Sequence, residues 1–410
     1  MRQRFQILSD PRFRLVYNET RSFIDGPAPK KVRLNRENFN LVDGVKKKTK
    51  VYPGMLLATH PSIDKGDLHS PMYGEITEIN HRSIFIDAVD QEGIEGQVEP
   101  IDVLAEGKEG EELILQMKQM GVNTKSLGQE VDTLIINGLN PDPGVTWAEP
   151  MLTQNGHNLH AGIELHKRLA RAKHIVLAVP KGMHVSYDNI DVVCIEPEYP
   201  KSVNALLIKE VTGKENPEGV GAVGLHNIWS LGRVGVTGLP LMETVITIGS
   251  QTKWANYIVK NGMWIGQLLE YAGIELRDGD IISRGGPLRG ECLDRLDRSI
   301  TKGTTGLFVV ESGTVPPMEG HSPCINCGAC VQVCPAHLNP STLSRYAEFA
   351  NYNALPNTAP IVWNAGFAGM FVSPAVRCCN TSVLQTPRLR KCRNLFGKKI
   401  SNISSKMSSI

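Results

Sequence analysis

Four cysteines within eleven residues constrain the fold of this chain more than any other feature. They stand in the run Cys324-Ile-Asn-Cys327-Gly-Ala-Cys330-Val-Gln-Val-Cys334-Pro335, with the spacing C-x2-C-x2-C-x3-C-P. Thiolates at this spacing are typical ligands of a 4Fe–4S cluster, whereas structural zinc more often takes two separated C-x2-C pairs. The run therefore predicts an iron–sulfur segment whose metal ligands are Cys324, Cys327, Cys330 and Cys334.

The same run predicts that a second run follows it. Where two such clusters occur together, the fourth cysteine of a run ligates the other cluster. The later cysteines, Cys378, Cys379 and Cys392, lack the required spacing. In residues 361–372, however, four codon junctions can encode cysteines in a shifted frame, again at C-x2-C-x2-C-x3-C. We therefore favour a second run that lies out of frame, and a genuine basic tail is the alternative. Codons that cannot encode these cysteines would exclude the shifted run.

Charge is divided unevenly along the chain. The 410 residues include 44 basic and 42 acidic side chains, which gives a formal net charge of +2. After Glu348 no acidic residue follows, whereas eight basic residues do, so an acidic body precedes a basic tail at 351–410. The near balance over the whole chain argues against a protein that binds nucleic acid through a basic surface.

The sequence contains no membrane-spanning or secretory signal that we recognise. No run of about 18 apolar residues occurs, and the first ten residues lack the apolar region of a secretory signal. We therefore expect a cytoplasmic protein with reduced thiols, in which clustered cysteines bind metal. Cys194 and Cys292 are predicted to be small core residues, and the histidines at 157, 160 and 166 to be surface or loop residues.

Turn residues and hydrophobic periodicity predict a multidomain fold of the α/β and α+β classes. The predicted parts are an all-β module (35–105), an α/β domain (113–240), a small α+β module (241–311), the iron–sulfur segment (318–350) and the basic tail (351–410). Within the α/β domain we expect strands at 131–136, 174–179 and 191–195, and helices at 159–172, 203–211 and 222–231. Alternation of strands and helices indicates a parallel sheet, and residues 1–50 read as irregular.

With these motifs in place, residues 35–350 resemble RnfC, the peripheral, NADH-side member of the Rnf ion-translocating electron transport complex. The resemblance rests on the order of four segments more than on any one of them. They are Pro53-Gly-Met-Leu-Leu with the strand that ends at Ile79, Val131-Asp-Thr-Leu-Ile-Ile-Asn-Gly138, the stretch from Glu243 to Arg284-Gly-Gly-Pro287, and Lys302-Gly-Thr-Thr-Gly306 before the cysteine run.

The resemblance implies a lipoyl-like barrel-sandwich domain, a Rossmann-like domain similar to the flavin subunit of respiratory complex I, a β-grasp module and a ferredoxin-type segment. It implies an electron-transfer subunit that relays electrons through 4Fe–4S clusters between NADH and membrane subunits of an Rnf-type complex. Such a subunit would lie peripherally on the cytoplasmic face of the inner membrane. The alternatives are a soluble dehydrogenase that uses FMN and NADH, and a non-catalytic docking subunit.

The resemblance also implies an FMN site at Asn137, Gly138 and Asp142. The family has a glycine-rich loop before this strand end, whereas residues 121–128 lack the glycine cluster that would cradle a phosphate. After the strand the family usually has two glutamates. Here Asp142 keeps one charge and Asn140 replaces the other.

Overall fold

The structure is a computed structural model. It describes residues 22–92, 94–250, 253–286, 289–293 and 295–312, together with Leu15 and short stretches between residues 326 and 349. The chain divides into two compact units, one built on residues 12–315 and the other on residues 316–410. The predicted basic tail and the shifted cysteine run lie outside the described residues.

Two small antiparallel sheets form the first part of the larger unit. After β1 (Phe23–Asp25), the strands are β2 (Lys31–Asn35), β3 (Asn40–Leu41), β4 (Lys50–Val51), β5 (Leu56–Thr59), β6 (Leu68–His69), β7 (Gly74–Ile79) and β8 (Ser83–Ala88). One sheet has the order β2-β8-β7-β4 and the other β3-β5-β6. Alternate residues of β2 and β8, among them Val32 and Ile86, are buried in one apolar cluster. The prediction that residues 1–50 are irregular is wrong for the strands β1, β2 and β3.

A parallel sheet follows, as the alternation of elements predicts. Its elements are α1 (Gly110–Gln119), β9 (Thr133–Asn137), α2 (Ala148–Gln154), α3 (Gly156–Ala170), β10 (His174–Pro180), β11 (Asp191–Ile195), α4 (Asn204–Thr212), β12 (Val220–Gly224) and α5 (Leu225–Thr237). The order β11-β10-β9-β12 is parallel throughout. The predicted helix at 222–231 is wrong at its start, because β12 occupies Val220–Gly224 and α5 begins afterwards.

The third part is a six-stranded mixed sheet with one helix. It contains β13 (Glu243–Gly249), β14 (Trp254–Lys260), α6 (Ile265–Tyr271), β15 (Ile281–Arg284), β16 (Glu291–Leu293) and β17 (Gly306–Val310). The order is β1-β14-β13-β17-β15-β16, so β1 from the start of the chain closes one edge in parallel with β14. Ile265, Leu268 and Leu269 of α6 pack on this sheet in one apolar cluster.

Three side chains differ from the sequence prediction in their exposure to solvent. Cys194 in β11 and Cys292 in β16 are exposed, although small core residues were predicted. His166 is 2% exposed inside α3, although a surface or loop position was predicted. None of the described helices is long and apolar enough to cross a bilayer.

Helices α3 and α5 cross with their backbones in contact. A Cβ added to Gly162 would stand 2.1 Å from the carbonyl oxygen of Ile228, and one added to Gly232 would stand 1.8 Å from that of Asn158. Because both obstacles are main-chain atoms, a side chain there forces the helices apart. The crossing holds α5, and with it the end of β12, against the core.

We expect Gly232→Ala to lower the free energy of unfolding by about 3 kcal/mol, at the upper end of overpacking effects. Gly156→Ala is the matched control, because nothing lies within 4 Å of its added Cβ at the start of α3. Urea denaturation of both variants measures the difference. Equal midpoints for the two variants would contradict the close crossing.

The buried His166 predicts a loss of stability in acid. Burial lowers the pKa of His166 to about 4, and neither ring nitrogen has a hydrogen-bond partner among the described residues. The unfolded chain takes up this proton near pH 6.5 and the folded chain does not, so the free energy of unfolding falls as pH drops from about 6.5 to 4.

His166→Leu should remove this part of the acid sensitivity and raise the free energy of unfolding at pH 4 by on the order of 2–3 kcal/mol. His160→Leu is the control, because this side chain lies on the exposed face of the same helix. Thermal unfolding between pH 4 and 7.5 measures both. Parallel pH profiles for wild type and His166→Leu would refute the assignment.

Candidate functional site

Part of the cysteine run is described, within the second unit. Cys327 is exposed and lies between Asn326 and Gly328, whose φ angles are 57° and 74°. These two left-handed residues turn the chain sharply before α7 (Ala329–Gln332), which contains Cys330. Arg345 Nη2 donates to Asn326 Oδ1 at 2.7 Å and holds this turn to the following segment.

The donor chemistry of the run fits an iron–sulfur cluster. Four thiols are available within eleven residues, and the left-handed turn at Asn326–Gly328 winds the backbone tightly around Cys327. Cys324 and Cys334 lie outside the described residues. Among the residues that are described, no three His, Cys, Asp or Glu side chains come together as a metal site.

The second candidate site is the carboxyl edge of the parallel sheet. Ligands of such sheets bind where the strand order reverses, which here is between β9 and β12. Asn137 and Gly138 end β9 at this position, and Gly224 ends β12. The predicted FMN residues therefore lie at the edge where the topology places a crevice.

The side-chain amide of Asn137 is hydrogen-bonded to other groups of the protein. Its Nδ2 donates to the carbonyl oxygen of Ser202 at 2.8 Å and to Asn204 Oδ1 at 2.9 Å, and its Oδ1 accepts from the N–H of Leu139. Asn204 Nδ2 in turn donates to the carbonyl oxygen of Ala222 in β12 at 3.0 Å. A chain of side-chain amides thus bridges β9, the start of α4 and β12 across the crevice.

Gly138 is required by the sheet itself. Its N–H donates to the carbonyl oxygen of Ala178 at 2.9 Å, and an added Cβ would stand 2.6 Å from the same oxygen. The residue is thus a glycine because the end of β10 passes against it.

Asp142 is closed in by the loop between β15 and β16. It is 2% exposed, and its Oδ2 accepts from the N–H of Arg289 at 2.9 Å. The Arg289 side chain also donates to the carbonyl oxygen of Pro141 at 2.8 Å. A Cβ on Gly286 would lie 2.1 Å from Asp142 Cγ, so this glycine lets the loop pack directly on the carboxylate. Asn140, fully buried, accepts from the N–H of Ala148 at the start of α2.

The loop at 121–128 is folded against the first β module. Its backbone N–H groups bond to carbonyl oxygens of α1, of Asp64 and of the loop itself. The bonds are Gly121 to Lys118, Val122 to Met117, Thr124 and Lys125 to Asp64, and Leu127 and Gly128 to Thr124. Six of the eight N–H groups that could face a phosphate are therefore used by the protein.

A buried charge cluster fixes this loop. Lys302 Nζ donates at 2.6 Å to the carbonyl oxygens of Asp67 and Gly121, and the Asp67 carboxylate pairs with Lys118 at 2.8 Å. The Asp67 carboxylate also accepts the N–H of His60. Burial lowers the pKa of Lys302 to about 7, although the nearby Asp67 opposes that shift. Burial, and then the charge of Lys302, lower the pKa of His69 to about 3.

The three predicted FMN residues and the loop before them do not fit a flavin cradle. Their amides and N–H groups are engaged by other parts of the chain, and the carboxylate of Asp142 is covered. Sequence reasoning missed Arg289, Lys302 and Asp67, which close these positions. No local pattern could reveal them, because each acts on a segment more than 50 residues away.

Comparison with known proteins gives C subunits of ion-translocating oxidoreductase complexes among the sequence relatives. The chain is 28% identical over 235 residues to the C subunit of the proton-translocating ferredoxin:NAD(+) oxidoreductase complex of Clostridium ljungdahlii, covering 53% of this chain and 51% of the relative. It is 26% identical over 243 residues to the C subunit of the ion-translocating oxidoreductase complex of Buchnera aphidicola, covering 54% and 50%. The corresponding protein of Haemophilus influenzae is 24% identical over 324 residues, covering 71% and 37%.

The chain thus spans about half, or less, of the length of the curated relatives it matches. No protein-family model matches it. Among solved structures, an NAD+-reducing NiFe hydrogenase in the H2-reduced state aligns with a TM-score of 0.38 and 16% identity, over 65% of this chain and 60% of that one. A TM-score this low does not establish a shared fold.

The buried cluster makes a prediction about stability. Asp67→Asn leaves Lys118 and Lys302 without their carboxylate, and breaking a buried pair in this way costs about 3–5 kcal/mol. Asp132→Asn is the control, because its pair with Lys173 is more than half exposed and should change the free energy of unfolding little. Guanidinium unfolding of the two variants compares them, and a small loss for Asp67→Asn would contradict the role of the cluster.

Proposed function

The chain is a sequence relative of RnfC, and from this premise we propose that it is an electron-transfer subunit of an Rnf-type oxidoreductase complex. We propose that Cys324, Cys327, Cys330 and Cys334 are ligands of 4Fe–4S iron, with Cys334 serving the other cluster where a second run is present. The observation that carries the proposal is the cysteine run itself, in a chain whose relatives are subunits of ion-translocating oxidoreductases. The left-handed turn around Cys327 supports it.

A bound cluster of this type takes up and releases single electrons. The protein supplies the thiolates and the geometry that presents them. Asn326 and Gly328 turn the backbone on both sides of Cys327, and the N–H groups of Val331 and Gln332 return to the carbonyl oxygen of Gly328 at the start of α7. The bond from Arg345 to Asn326 restrains the same turn.

The proposal extends to the modules and to their partners. Residues 35–105, 113–240 and 241–311 are assigned as lipoyl-like, complex I flavin-subunit-like and β-grasp modules, with a ferredoxin-type segment at 318–350. The membrane subunits of an Rnf-type complex are the proposed partners, on the cytoplasmic face of the inner membrane. The described helices include no membrane span, so docking on such partners would provide the association.

Iron analysis and spectroscopy test the cluster. Anaerobically loaded protein should contain about four iron atoms per cluster and absorb visible light that dithionite bleaches. Cys327→Ser should lose most of the iron, whereas Cys194→Ser is the matched control, since both cysteines are exposed and only Cys327 belongs to the run. Iron content that is the same in both variants, or absent in wild type, would reject the proposal.

A further inference from the structure

We propose that this chain exchanges electrons only one at a time, with a one-electron carrier protein, and binds neither FMN nor NADH at its parallel sheet. The inference rests on the proposed cluster and specifies the class of its redox partner. Three independent features of the described residues carry it.

The first feature is the use of the backbone N–H groups before β9. A nucleotide or flavin phosphate needs several N–H groups that converge on it. In the loop at 121–128, the N–H groups of Thr124 and Lys125 both donate to Asp64, and those of Leu127 and Gly128 both donate to Thr124. To face a phosphate, this loop would first have to leave the β module against which it is folded.

Contacts from other parts of the chain also hold the loop at 121–128 in place. Lys302 Nζ donates to the carbonyl oxygen of Gly121, which has a φ angle of 83°, and a Cβ added to Gly121 would stand 3.0 Å from that ammonium. Asp67, paired with Lys118, lies in the same cluster. Opening the loop would therefore break the hydrogen bond from Lys302 to Gly121 beside this ion pair, together with the backbone bonds to Asp64.

The second feature is the bridge across the strand ends. The crevice between β9 and β12 is spanned by Asn137 and Asn204, whose amides bond to each other and to the carbonyl oxygen of Ala222. A ring system placed there would have to replace both amides. Two cavities of the described chain, of about 280 and 230 Å³, lie elsewhere, one lined by Trp254 and Tyr257 and the other by His157 and Trp229.

The third feature is the cover over the acidic loop. Asp142 is held by the N–H of Arg289, and Gly286 lies against its carboxylate with no room for a side chain. This carboxylate, which could otherwise position a cofactor, instead joins the loop after β9 to the six-stranded sheet.

The redox consequence follows from electron counting. NADH gives up a hydride, which carries two electrons and a proton in one step, and a flavin divides such a pair into single electrons. Without a flavin in this chain, a carrier must lose one electron as the cluster gains one, with no hydride transferred. The fitting partner is thus a protein that is itself a one-electron carrier.

Two measurements on the full chain test this inference. The first is titration of FMN with the purified protein, followed by FMN fluorescence, with a flavodoxin as the positive control. We expect no saturable binding up to about 100 µM FMN, and a Kd below about 10 µM would overturn the inference. This titration does not require the cluster to be present.

The second measurement uses cluster-loaded protein under anaerobic conditions. Reduced ferredoxin should bleach the visible band within seconds, whereas NADH with added FMN should leave it unchanged at equal reducing equivalents. Bleaching by NADH that depends on FMN would overturn the inference. If no visible band forms, the proposed function fails, and the FMN titration still decides between an empty and an occupied crevice.

Discussion

The ammonium group of Lys302 is the point on which the arrangement of the larger unit depends. It leaves the end of the six-stranded sheet and bonds to main-chain oxygens of the first β module and of the loop before β9. A single, partly buried side chain thereby joins three modules. Burial lowers the pKa of Lys302 to about 7, although the charge of the Asp67 carboxylate, which pairs with Lys118, favours the protonated form of Lys302.

This junction also explains why the loop before β9 needs few glycines. A phosphate cradle requires glycine because the backbone must approach the ligand closely. In this chain the loop approaches another module instead, and only Gly121 has the left-handed conformation that such an approach needs. A loop that docks on another module in this way does not need the glycine cluster of a phosphate cradle.

Much of the fold could be predicted where a segment carries its own signal. β10 and β11 match their predictions closely, because unbroken apolar runs mark them in the sequence. β12 was missed because Val220-Gly-Ala-Val-Gly224 is rich in glycine and its role comes from pairing with β9. The cysteine run could be recognised because its ligands are neighbours in sequence. The contact between Arg289 and Asp142 could not, because 147 residues separate them.

The closure of the six-stranded sheet by β1 has a consequence for biosynthesis. Phe23 pairs with Asn256, so β1 leaves the ribosome long before its partner strand has been made. At about 5–20 residues per second, this delay is on the order of 10–50 s. During that interval the backbone groups of β1 have no strand partner, and Phe23, which is half-buried in the folded chain, stays in solvent.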